Sequence, residues 1–130
     1  PETQALMMLM REDLLNVLDF AQTMPVKLET LWYPGYAISL TLASGGYPGN
    51  YRSGIPIHGI REASTQPNVE VFHAGTALKD GQLVTAGGRV LSVVAHGTTL
   101  AEASAKAYEA AQHITFEGMH YRKDIAHRAL

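Results

Sequence analysis

The clearest chemistry in this chain centres on one fixed positive charge. Arg89 follows directly on Gly87 and Gly88, so a guanidinium stands beside two residues that have no side chains to screen their backbone. Exposed peptide N–H groups next to a guanidinium form a seat for an anion such as phosphate, since all of them donate and one carries a full charge. An arginine at a turn is equally able to point into water and bind nothing. Residue type alone leaves these two readings evenly matched.

Other reactive residue types lack partners. The six histidines, His58, His73, His96, His113, His120 and His127, show no H-x-H or H-x-x-x-H pairing, and the chain has no cysteine, so no metal site is assigned. Ser44 and Ser53 sit in glycine-rich sequence without the G-x-S-x-G setting of a nucleophile. Glu70 and Glu117 are single carboxylates with no evident companion for acid-base work. No catalytic residue is assigned either. The segment SGGYPGNYRSG, Ser44 to Gly54, lacks the lysine followed by Ser or Thr that a phosphate-gripping loop needs. It reads as an ordered turn, with Tyr47, Tyr51 and Arg52 as the side chains to watch for a pocket.

The elements that must position Arg89 come from the stretch Phe72 to Gly97. Polar and apolar residues largely alternate there on both sides of Asp80-Gly81, the pair best suited to a type I′ hairpin turn. Two antiparallel strands are predicted, then a turn at Gly87-Gly88, then a third strand from Arg89 to His96. Upstream, Val69 to Thr76 reads as a strand leading into the hairpin, and Tyr36 to Ala43 as a half-buried strand. Ile55, Ile57 and Ile60 suggest a short edge strand limited by Pro56, with a loop over 63–68. One amphipathic helix is predicted from Thr3 to Ala21, with Thr3 as its cap. A connector follows from Met24 to Gly35, whose Trp32 and Tyr33 cover an apolar edge. A second helix starts at a capping box, Thr99 with Glu102, and buries Leu100, Ala103, Ala107, Ala110 and Ile114. Thr115 to Tyr121 reads as a last short strand and the tail after it as a solvated end.

Size and composition set the frame. The chain has 130 residues, 46% hydrophobic and 17% charged, enough for one globular domain over 1–130 and too apolar for a disordered chain. A net charge of -2 gives no general attraction to nucleic acid or to an anionic membrane, so an anion site has to be local. No apolar run approaches the roughly 20 residues of a membrane span, and a cysteine-free chain fits a reducing cytoplasm. The fold class predicted is α+β, an antiparallel sheet packed with two helices.

Five blocks in order resemble the C-terminal domain of phosphoribosylamine-glycine ligase, also called glycinamide ribonucleotide synthetase, of the ATP-grasp superfamily. They are PETQ at 1–4, ASGGYPGNYRSG at 43–54, VFHAGTALKDGQLVTAGGRVLSVVAHG at 71–97, AYEA at 107–110 and FEGMHYRKDI at 116–125. The resemblance implies a partly open, barrel-like sheet and a helix over 1–21 continuing from an ATP-grasp domain missing from this chain. It implies an enzyme that joins glycine to 5-phosphoribosylamine with ATP hydrolysis to ADP and phosphate in purine biosynthesis. ATP and magnesium would be bound mainly by residues not present here, and the partners would be the rest of the enzyme and its two substrates. Carried over by position, Arg89 would hold the phosphoribosyl group, Gly87 and Gly88 would allow close backbone approach, and Thr76 would be a second contact. The domain would complete a substrate pocket and be inactive alone. The alternatives are the equivalent domain of another ATP-grasp ligase or carboxylase, and a stand-alone module binding a small anion.

Overall fold

A computed structural model describes residues 2–23, 25 and 31–129. Helices α1 (Glu2–Leu9) and α2 (Leu14–Ala21) come first, then strand β1 (Tyr36–Ala43), helix α3 (Ile60–Ser64), strands β2 (Val69–His73), β3 (Thr76–Lys79), β4 (Gln82–Thr85) and β5 (Arg89–Gly97), and helix α4 (Leu100–Ala111). This is the α+β, antiparallel class. The sheets are open, one of three strands in the order β1-β5-β2 and one of two, β3-β4. Among the described residues no helix is long and apolar enough to cross a membrane.

The β3-β4 hairpin turns where its dipeptide says. Asp80 and Gly81 have φ of 52° and 78°, and Lys79 pairs with Gln82 across the turn, the geometry of a type I′ connection. The strand after Gly87-Gly88 does not extend this hairpin. β5 crosses into the larger sheet and lies antiparallel between β1 and β2. The cause is its composition: Val90 to Ala95 is an unbroken buried run, and a strand apolar on both faces belongs at the centre of a sheet covered on both sides.

Register then sorts the two faces. Ile38, Leu40 and Leu42 pair with Ala95, Val93 and Leu91, and Val69 and Val71 with Ala95 and Val93. This face carries the core, closed by Ala103, Ala107, Ala110 and Ala111 of α4 and by Ile114, none of them exposed. Alanine side chains let the helix approach the sheet closely. The opposite face presents Ser39, Thr41, Ser92 and Val94, and α1 rests over it against β1 and β5.

Several boundaries differ from the sequence expectation. The single helix predicted over 1–21 is two. Met10 bridges to Trp32, Arg11 N donates to Leu31 O at 2.7 Å and Tyr33 N to Leu9 O at 2.7 Å, so the backbone groups that would continue the helix are already committed. Asp13 then starts α2 by accepting from Leu15 N at 2.8 Å and from Asn16 N, a role its short carboxylate fills better than a mid-helix place. Thr3 lies inside α1 and is no cap. Met24 and residues 26–30 of the predicted connector lie outside the described residues. In its described part Leu31 is buried and Trp32 half-buried, whereas Tyr33 is exposed beneath the Arg11 guanidinium, 5.6 Å from the ring centre.

The predicted Ile55–Ile60 strand is replaced by single bridges, Pro56 with Val84 and His58 with Thr115, because proline has no N–H to propagate a ladder. Residues 60–64 are helical, so the predicted loop over 63–68 begins inside α3. The 69–76 strand stops at His73, and α4 ends at Ala111 rather than Ile114. Thr115 and His120 make isolated bridges in place of a last strand. The tail is pinned: Tyr108 Oη donates to Arg122 O at 2.8 Å and accepts from Ile125 N at 3.1 Å.

Candidate functional site

Arg89 opens β5 and is exposed. With Gly88 it lines a cleft of about 370 Å³ whose other walls are Gln4, Thr41, Tyr47, Ala74 and Ser92. Thr41 and Ser92 are cross-strand partners on the face opposite α4, so two hydroxyls from different strands meet on its floor. Gln4 comes from α1 and Tyr47 from the glycine-rich loop after β1. Strict alternation would place Arg89 with Leu91 and Val93 on the core face. The register irregularity at Leu42/Ala43, where Ala43 pairs with Arg89, is the kind of bulge that re-aims a side chain.

The glycine turn is held from both sides. Ser44 N donates to Gly88 O at 2.8 Å and Ser44 Oγ to Gly87 O at 2.8 Å, while Gly75 N donates to Arg89 O at 2.8 Å. Ser44 is buried and acts as a strut. Both glycine carbonyls are thus held, and among the described residues the N–H groups of Gly87 and Gly88 have no acceptor. Missing side chains matter for packing. A Cβ on Gly88 would stand 2.1 Å from Cδ2 of the Tyr47 ring, and one on Gly75 would stand 2.7 Å from Gly87 Cα and 2.7 Å from Arg89 O.

Electrostatically the cleft suits an anion. Its walls contain no carboxylate, and Arg89 is in no ion pair among the described residues. For the same reason these walls do not fit a magnesium ion, which takes oxygen ligands from carboxylates. Among the described residues no group of three or more His, Cys, Asp or Glu side chains gathers to hold a metal. The ion pairs found among the described residues lie elsewhere. Glu102 pairs with Lys106 at 2.7 Å, and Arg122 with Asp124 at 2.8 Å, where the guanidinium holds the Asp124 carboxyl below the ordinary range.

Of the four residues singled out from sequence, Arg89 and Gly88 line one cleft and Gly87 forms the turn behind them. Thr76 is not among its walls: its hydroxyl pairs with His73 Nδ1 at 3.0 Å, because β3 departs with the hairpin. Tyr47 joins Arg89, while Tyr51 and Arg52 line a separate cleft of about 360 Å³ in which Arg52 meets Glu117 at 3.3 Å. Gln4, Thr41 and Ser92 escape sequence reasoning, and Ser44, weighed there as a nucleophile, serves instead to hold the glycine turn. Ser39, Thr41 and Ser92 carry one signal, polar residues at alternate positions of apolar strands, but only the pairing register sets Thr41 and Ser92 side by side.

Fold and site together define a class: an open-sheet α+β domain with a cleft at a glycine turn, walled by one guanidinium and neutral residues. Residues 37–128 match the family described as Phosphoribosylglycinamide synthetase, C domain, and the chain belongs to that family. Along its whole length it is 48% identical to the phosphoribosylamine–glycine ligase of Synechocystis sp. and 44% identical to that of Pseudomonas aeruginosa, spanning 31% and 30% of those proteins. The crystal structure of phosphoribosylamine–glycine ligase from Thermotoga maritima superimposes with a TM-score of 0.80 at 39% identity, over 97% of this chain and 30% of that one. The chain thus spans about a third of the length of the curated relatives it matches.

Proposed function

We propose that this domain forms one wall of the substrate pocket of a phosphoribosylamine–glycine ligase and that the Arg89 cleft takes the phosphoribosyl end of the amine substrate. The enzyme would join glycine to 5-phosphoribosylamine as ATP is cleaved to ADP and phosphate, in purine biosynthesis in the cytoplasm. The observation that carries the reading is a guanidinium with no ion-pair partner among the described residues, in a cleft with neutral polar walls. Gly88, another wall of the cleft, has a backbone N–H with no acceptor among the described residues, and a guanidinium beside such a donor suits a phosphate.

The role is binding and positioning. Activation of glycine, the ATP site and any magnesium would belong to polypeptide beyond these residues, since the chain spans about a third of the ligases it matches. Exposed apolar residues on α2, with Leu15 at 74% and Leu18 at 56%, fit a domain covered by further chain better than a free-standing anion binder. The named ligases among its relatives favour this substrate pair over that of another ATP-grasp ligase or carboxylase.

A charge-assisted contact of this type contributes about 1.5 to 3 kcal/mol. Arg89→Ala in the full-length ligase is therefore expected to lower kcat/KM for phosphoribosylamine by roughly ten- to a hundredfold while leaving KM for ATP little changed. Steady-state kinetics with each substrate varied in turn provide the test. Unaltered values for both would remove Arg89 from the site.

A further inference from the structure

We infer that Gln4 reads the sugar end of the ligand: its side-chain carbonyl accepts a hydrogen bond from a hydroxyl or amine of the phosphorylated substrate whose phosphate Arg89 holds. This rests on the reading of the Arg89 cleft as a phosphoribosyl site. Gln4 and Arg89 line the same cleft from different elements, α1 and β5. The Gln4 Oε1 atom is shut off from water with no hydrogen-bond donor in reach among the described residues, and so is Oγ of Ser39 on the sheet face beneath α1. Buried polar groups in folded proteins are nearly always paired, so an acceptor left unpaired at the wall of a cleft is short of a donor. The Gln4 residue is only half-buried, and the torsion next to its amide is broad and roughly two-fold. A turn about that bond brings the carbonyl to a donor inside the cleft without moving α1.

The remaining walls indicate what that donor belongs to. Thr41 and Ser92 contribute neutral hydroxyls, Tyr47 a ring and Ala74 a methyl, with no carboxylate to hold a cation. Hydroxyls and an amide facing one guanidinium suit a small polyhydroxylated molecule carrying one phosphate, which offers O–H donors to Gln4 and an anion to Arg89. The cleft, at about 370 Å³, is at the small end of the range of roughly 300 to 1,000 Å³ for ligand pockets.

Calorimetric titration of the full-length ligase with ribose 5-phosphate and, separately, with inorganic phosphate tests this. The ratio of the two affinities isolates the sugar contacts from the phosphate seat, and unchanged binding of inorganic phosphate shows that a variant has kept its fold. Gln4→Met, similar in length without the acceptor, is expected to weaken ribose 5-phosphate roughly three- to tenfold and to leave inorganic phosphate unchanged. Gln4→Glu, which keeps an acceptor but adds a negative charge, is expected to weaken both probes alike and so to preserve the ratio. A ratio unaltered by Gln4→Met overturns the assignment. Arg89→Ala should weaken both probes. If it changes neither while Gln4→Met still lowers the ratio, the phosphate seat fails and the Gln4 contact stands. Wild-type enzyme that binds neither probe overturns both.

Discussion

At Gly88 a hydrogen stands where any other residue would carry a Cβ, and the Tyr47 ring fills that space. Gly88→Ala must displace the ring, which is half-buried and able to shift, so a loss near 1 kcal/mol is expected, at the low end for overpacking. Because Tyr47 is also a cleft wall, the same change should weaken phosphate binding, which calorimetry would register. Gly75→Ala meets backbone atoms on both sides and has nothing flexible to push. Urea unfolding is expected to show a loss of about 3 kcal/mol for it. Ala126 is the opposite case, a residue with a side chain at φ 62°. A left-handed conformation costs about 1 to 2 kcal/mol for a residue with a Cβ, partly offset by the greater unfolded-state freedom of glycine. Ala126→Gly is expected to raise stability by roughly 0.5 to 1 kcal/mol in the same assay.

Among the elements, α4 has the start best read from sequence. Thr99 Oγ1 accepts from Glu102 N at 3.1 Å, as a capping box requires. The return bonds reach one residue further back than the motif implies: Glu102 Oε2 accepts from Thr98 N and Thr98 Oγ1, both at 2.7 Å. The Lys106 ammonium 2.7 Å away, helped by these Thr98 donors, brings the Glu102 carboxyl from 4.5 down to about 2. A carboxyl whose pKa is lower in the folded than in the unfolded state stabilises the fold above the unfolded value and stops doing so as the folded form takes up its proton. Stability should therefore fall as pH drops from about 4.5 toward 2, and Glu102→Gln should flatten that part of the curve. Melting temperatures taken across the window for both proteins decide it, and identical slopes would assign the acid sensitivity to other groups.

For the molecule as a whole, the notable feature is how little α2 packs. No residue of that helix is buried, and Leu15, Leu18 and Phe20 are each more than half exposed. Under the proposed function, further ligase chain covers them. The 130-residue chain alone is expected to bind an apolar fluorescent dye, and Leu15→Ser combined with Leu18→Ser should reduce that signal. In the full-length ligase the same pair should lower the melting temperature, because the surface it removes would there be buried. An unchanged melting temperature would mean that α2 faces water in the complete protein too. Ligase turnover by the 130-residue chain alone would contradict its role as one wall of a larger site.

Local rules decided what the sequence could show by itself. Asp80-Gly81 specifies its turn through backbone sterics, Thr99 and Glu102 mark a helix start by hydrogen bonds three residues apart, and alternation in Tyr36 to Ala43 marks a strand with one apolar face. Each needs only neighbours along the chain. The α+β class and the pairing of Arg89 with a double-glycine turn were legible for the same reason. The partner of β5, the break between α1 and α2 and the walls of the Arg89 cleft were not. Those depend on which distant groups compete for the same backbone hydrogen bonds and the same buried space. Leu31 and Tyr33 take the hydrogen bonds that would have continued α1, and the apolar run of β5 draws it from its own hairpin into the sheet centre. Gln4, Thr41, Tyr47 and Ser92 become neighbours of Arg89 only after those competitions are resolved, since proximity across a fold is a property of packing and not of spacing along the chain.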